Sequence, residues 1–102
     1  MIICAPGPSL ARNVAQLRAV QGRAIIVGFS HSLRPLRAAG VTPDLVVTVD
    51  PQDFRYHFHP GDLDGVAAMV NGVTVHPSLF GLGAPRHLTL ASNGALDRWL
   101  YR

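Results

Sequence analysis

The sequence predicts an α/β domain with a mostly parallel, Rossmann-like sheet in a three-layer sandwich, and three observations carry that expectation. Short apolar runs alternate with helix-like segments, as in βαβ units. The runs are apolar throughout instead of alternating with polar residues, which is how strands covered on both faces read. Gly, Pro, Ser or Asp follows most of them, marking strand-to-helix turns.

The first run, "MIICA" (1–5), reads as a buried strand stopped by Pro6. Ser9 is placed to cap the helix behind it, on which Leu10, Val14 and Leu17 share one face and which Gly22 ends. "RAIIVGF" (23–29) is a second strand. Ser30 or Ser32 then caps a short helix closed by Gly40, in which Pro35 fits only within the first turn. After a loop at 41–44, "LVVTVD" (45–50) is a β-branched strand ending on a carboxylate. Residues 52–65 read as a loop or short helix. "VAAMV" (66–70) and "VTVH" (73–76) flank Asn71-Gly72, a dipeptide common in hairpin turns, and read either as a hairpin or as one strand with its exit. "HLTLAS" (87–92) is a further strand, and a final helix starts at 93 with Leu96, Trp99 and Leu100 on one side.

At 102 residues the chain suits one domain, 1–102, with a small core. The 48% hydrophobic and 15% charged fractions belong to a globular chain. All nine basic residues are Arg and all six acidic ones Asp, which says more about codon usage than function. The arginines are scattered in no basic block, so no nucleic-acid partner is expected. The lone Cys4, inside the first strand, excludes an internal disulfide framework and reads as a buried inert thiol. No apolar run approaches a membrane span, and Met1 leads into no signal-peptide pattern, so no membrane partner and a cytoplasmic location are expected.

Open parallel sheets bind ligands beyond the carboxyl ends of their strands, so the residues just after each strand are the candidates. In "PGPS", Gly7 allows close backbone approach, Ser9 adds a hydroxyl, and the helix N-terminus behind them favours an anion. Without a following Lys or further glycines it is neither a Walker loop nor a dinucleotide fingerprint, and a stiff turn explains it equally well. Asp50 suits a ribose hydroxyl or a metal, with Asp53 as a second ligand, although a loop cap is the ordinary role of such an Asp. His57 and His59 alternate on an extended segment and would share a zinc only with further ligands that are not evident; exposed loop histidines are the plainer reading. Ser30 and His31 follow the second strand, and His76 follows "VTV" as a base or a structural histidine. Ser92, Asn93 and Gly94 link a strand to a helix start as Gly7, Pro8 and Ser9 do; the two helix starts together would bracket one crevice, while a simple cap is the alternative.

"GPSLARNVAQL" followed by "GRAIIVGFSHSLRPLRAAGVTPDLVVTVDPQ" resembles the MptE-like domain family: strand, GPSL, helix, strand, then a helix with "L…AG" and "PDLVV" leading into a strand that ends Asp-Pro. The likeness is closest over residues 2–52. The family holds motility-associated factor (Maf) glycosyltransferases, which modify flagellin from CMP-nonulosonic acid donors, and an archaeal 6-hydroxymethyl-dihydropterin pyrophosphokinase that uses ATP and Mg²⁺. The "VDPQ" ending looks more like the glycosyltransferase branch. The resemblance therefore implies a nucleotide or CMP-sugar ligand and a protein acceptor; the kinase alternative implies ATP with Mg²⁺ on Asp50 and Asp53. It implies that Gly7, Pro8 and Ser9 form the nucleotide loop, that Asp50 is the strand-end acid, and that Ser92, Asn93 and Gly94 hold a phosphate or carboxylate. Ala5 stands where sialyltransferase relatives place an Asn. Family domains are longer, which implies that 1–102 is the donor-nucleotide part of a larger domain, with an incomplete sheet, an open edge suited to a second copy, and a catalytic base elsewhere. A non-catalytic remnant that binds nucleotide or a protein partner is the third reading.

Overall fold

A computed structural model describes residues 1–53, 55–90 and 94–100. Five strands, β1 (Ile2–Cys4), β2 (Ile26–Phe29), β3 (Leu45–Thr48), β4 (Ala68–Gly72) and β5 (His87–Leu90), form one all-parallel sheet in the spatial order 1-2-3-4-5. Helices α1 (Pro8–Val20) and α2 (Ser30–Ala38) connect the first three strands, and α3 (Ala95–Leu100) follows β5. Short 3₁₀ turns at Arg55–His57 and Pro77–Gly81 lie in the later crossovers. The domain is α/β and Rossmann-like, as the apolar strand runs predict.

Because each strand lies beside its predecessor, right-handed crossovers all step the same way and fall on one face. The core shows this. Leu10 and Leu17 of α1 and Leu36 of α2 pack with Cys4 and Ile26, while Leu33 packs with Val46, Met69, Leu63 and Val66. Gly28 lies under α2, where an added Cβ would come within 3.3 Å of Leu36 and press on its side chain, so the glycine eases the close approach of helix and strand. The opposite face is also apolar, with Val27, Leu45, Val47 and Val70 at its centre. It is open at both edges, where Ile3 is 61% and Leu88 49% exposed. Among the described residues, α1 and α2 pack on one face of the sheet.

Local chemistry sets several boundaries differently from the sequence reading. Gly7, not Ser9, is the N-cap of α1; Pro8 takes the first helical position, where its fixed φ fits and its missing N–H costs nothing. Neither Ser30 nor Ser32 caps α2 from outside. Ser32, inside the first turn, accepts from the Phe29 N–H at 2.8 Å and donates to the Phe29 carbonyl. Pro35 sits in the second turn of α2, at an exposed position, and gives up one helical hydrogen bond. Gly22 and Gly40 end their helices at φ of 84° and 76°, as the sequence predicts. Asn71-Gly72 makes no hairpin: both residues belong to β4, and residues 73–76 run on as turn and loop. Trp99 is exposed, and the side chains of Leu96 and Leu100 lie outside what is described.

Candidate functional site at the carboxyl ends of the strands

A crevice of about 290 Å³ opens at the carboxyl ends of β1, β2 and β3. Ala5 and Pro6 follow β1, Phe29 to His31 span the junction of β2 and α2, and residues 47–50 bring β3 to its end. Three parallel strands stop side by side here, so the site follows from register (Cys4 beside Gly28, Phe29 beside Val47). Phe29, Val47 and Val49 make its walls largely apolar, with Asp50 at the rim. One Asp50 carboxylate oxygen accepts from the Gln52 N–H at 2.9 Å, folding the chain back after the strand.

A second cavity of about 370 Å³ shares Ser30 and His31 with the crevice and adds Arg34, Tyr56 and His57. Arg34 lies one turn along α2 from His31, while Tyr56 and His57 come from the 3₁₀ turn after β3. The His31 and His57 rings lie 4.2 Å apart and the Tyr56 and His57 rings 4.3 Å apart. Burial lowers the pKa of His57, and the charges of His31 and Arg34 lower it further. The field here is positive.

Beyond β3 the polar groups bond to one another. The buried Thr48 hydroxyl donates to Asn71 Oδ1 at 2.5 Å, the Asn71 amide meets His87 Nδ1 at 3.2 Å, and His87 Nε2 donates to the Leu82 carbonyl at 2.9 Å. This chain assigns His87 the tautomer with its proton on Nε2. Asp53 is held by Arg55 through bonds of 2.7–3.1 Å and accepts from the Ser78 hydroxyl at 3.1 Å. The Arg55 guanidinium, above all, holds the Asp53 carboxyl well below the usual carboxylate range.

The expected site residues separate on this geometry. Ser30 and Asp50 line the crevice together. Gly7 and Pro8 open α1 just behind Pro6, while Ser9 lines a different groove, between α1 and the outer edge of β1. Nothing lies within 4 Å of a Cβ placed on Gly7. Gly94 follows β5, and its carbonyl accepts from the Arg98 N–H; Ser92 and Asn93 lie outside the described residues. Strands β1 and β5 are opposite edges of the sheet, about 19 Å apart at ordinary strand spacing, so the turns at Gly7 and Gly94 do not bracket one crevice.

The geometry also bears on three alternatives weighed beside plainer readings. Asp50 and Asp53 do not form a pair reserved for metal, because Asp53 is committed to Arg55 and Ser78. His57 and His59 line different cavities, and the His59 N–H donates to Asp62. Among the described residues no three His, Cys, Asp or Glu come together as ligands for a metal. His76 is structural: its Nδ1 accepts from the Ser78 N–H at the start of the Pro77–Gly81 turn. Cys4 is buried, which pushes its thiol pKa up, in keeping with an inert thiol. No helix among the described residues is long and apolar enough to cross a membrane.

Sequence reasoning missed Arg34, Tyr56 and the meeting of His31 with His57, because those partners are 26 residues apart and only the crossover joins them. It missed Arg37 as well, which donates to the Asp62 and Asp64 carbonyls and to Thr42, tying residues 59–65 to α2.

The fold and site define a parallel-sheet α/β domain of Rossmann type whose main crevice lies beyond the carboxyl ends of its first three strands. A sequence model of the MptE-like family, described as 6-hydroxymethylpterin diphosphokinase MptE-like, matches residues 1–100, and the chain belongs to that family. No curated protein and no solved structure matches it.

Proposed function

We propose that this domain binds a nucleotide donor across the carboxyl ends of β1–β3 and serves group transfer from it, with a CMP-activated sugar as the donor and a protein hydroxyl as the acceptor. The observation that carries the reading is that the apolar crevice and the Arg34-containing cavity share Ser30 and His31 in their walls. A flat base suits the apolar crevice lined by Phe29, Val47 and Val49. Asp50 suits a ribose hydroxyl, which a carboxylate accepts from. The positive cavity suits phosphate, and it would favour a leaving nucleotide as negative charge develops on it. Within this reading Gly7, Pro8 and Ser9 contribute through the α1 N-terminus beside Pro6, and the catalytic base is unassigned.

A diphosphokinase is the second reading, favoured by the description of the family. Its chemistry needs a divalent ion to bridge the transferred phosphates. Asp50 suits that ion, but Asp53 would first have to give up Arg55 and Ser78.

Calorimetric titration with CMP, CDP, UDP and ATP, each with and without Mg²⁺, tests the proposal. Metal-independent CMP binding with CMP preferred is expected. Binding of ATP–Mg²⁺ without binding of CMP would replace the glycosyltransferase reading by the diphosphokinase one.

A further inference from the structure

Cys4, Ile26, Val46 and Met69 point into the helical layer, where they pack with α1, α2 and the crossover at Leu63 and Val66. Side chains alternate along a strand, so their neighbours point the other way. Register sets these in rows, from Ile3 through Val27 to Leu45 and from Phe29 through Val47 and Val70 to Leu88. Every strand position on this second face is apolar or glycine. A Cβ placed on Gly72 would meet Val49 Cγ1 at 3.5 Å, which puts Val49 on the same face just beyond β3. Ile25, directly before β2, continues the alternation back from Val27, and its carbonyl accepts from the Ile2 N–H at 2.7 Å. Ile3, Ile25, Val49, Leu88 and Leu90 are each 43–61% exposed. With the partly exposed apolar residues between them they leave on the order of 600 Å² of side chain in water, about the most that a monomer leaves in one patch and the lower end of the roughly 600–1,000 Å² that each partner gives to a specific interface.

We infer that this face pairs with the same face of a second copy of the chain, giving a two-fold dimer in which two sheets stack about 10 Å apart with their apolar side chains interdigitated. The pairing is independent of the nucleotide reading. Its driving force is removal of the exposed side chains from water. A two-fold contact sets each group near the axis against its own copy, which favours a patch with no charge to repel itself, and the strand positions here carry none. The exposed residues reach from β1 to β5. A second flat sheet covers that breadth, whereas one helix of about 10 Å diameter spans only about two strands.

Sedimentation equilibrium of the wild-type chain, from micromolar to submillimolar concentration, is expected to show a reversible monomer–dimer equilibrium. Leu88→Lys and Ile25→Lys each place a charge twice in the dimer interface, at positions about half exposed in the single chain. Each is expected to weaken dimerisation at least about a hundredfold. Both positions lie outside the crevice wall. Circular dichroism checks that each variant keeps its fold; if Leu88→Lys does not, Ile25→Lys carries the test. Amide shifts on dilution of the wild type read the same surface without a substitution: Ile3, Val70 and Leu88 are expected to move, and Arg12 and Arg37 in the helical layer to stay. A wild-type chain that stays monomeric across the range would overturn the dimer and leave the face to a different protein or segment. Growth into ever larger species with no dimer plateau would overturn it too. A dimer equally stable in both variants would overturn the face as the contact and point to the outer edge of β1.

Discussion

Over β1–β3 the sheet ends in an open crevice, whereas across β3–β5 its polar side chains close on one another, from Thr48 to Asn71 to His87 to the Leu82 carbonyl. Both regions are built from short parallel strands under one helical layer. They differ in where their polar groups find partners. In the closed region Thr48, Asn71 and His87 are committed to one another and to the Leu82 carbonyl, which ties β3, β4 and β5 together. In the open region Asp50 and Arg34 face outward beside apolar walls, an arrangement that suits a partner from solution. Thr48 stands at the boundary, lining the crevice while its hydroxyl is committed to Asn71.

The comparison breaks first at Asn71. Asn71→Leu leaves Thr48 and His87 without their buried partner and is expected to cost about 2–4 kcal/mol of stability. Thermal unfolding reads that loss, while nucleotide affinity measured well below the transition stays unchanged. Asp50→Asn is expected to do the reverse. It keeps the turn to Gln52, so stability barely moves, while affinity for a ribonucleotide falls about tenfold. An unchanged affinity would remove Asp50 from the site.

Acid sharpens the contrast further. His57 has a folded pKa below its unfolded value of about 6.5, so its neutral form is favoured by folding. Stability is therefore full above that pH and falls as pH drops through the folded pKa; His57→Gln is expected to flatten this part of a pH–stability curve. Asp53 is depressed in the opposite chemical sense, as a carboxylate held ionised by Arg55. Its contribution is present above its unfolded pKa and is lost only as pH falls through the lowered folded value. Carbon-13 titration of the carboxyl groups is expected to show Asp53 titrating well below the usual carboxylate range. The smallest effect belongs to Gly7→Ala. Its backbone φ of −176° is open to any residue and its surroundings are empty, so stability is expected to change by no more than ~0.5 kcal/mol. A loss of ligand affinity in that variant would show the ligand packing over Gly7.

Much of this was legible in the sequence because buried parallel strands announce themselves locally. "IIC", "IVGF" and "LVVT" are apolar without alternation, and Gly22 and Gly40 mark helix ends through their left-handed backbone. The order of strands is not a local property, and the sequence alone therefore joined the turns at Gly7 and Gly94 that the sheet holds at opposite edges. Asn71-Gly72 carries a strong local hairpin signal, yet the bond to Thr48, 23 residues away, keeps Asn71 within β4. Ser9 and Gly7 are both good caps, and the choice between them falls to Pro8, which fits the first helical position. In the candidate site Ser30 and Asp50 could be reached as strand-end residues; Arg34 could not, since only the fold brings the turn at Tyr56 and His57 against the first turn of α2.

Nitrogen-15 amide shift mapping of the chain during titration with CMP tests the central contrast most directly. Shifts concentrated at Ala5, Phe29–His31, Arg34, Val49 and Asp50, with Asn71 and His87 unmoved, are the predicted result. Saturable binding that leaves those crevice amides still and moves Asn71 and His87, or no binding of any nucleotide, would contradict the account.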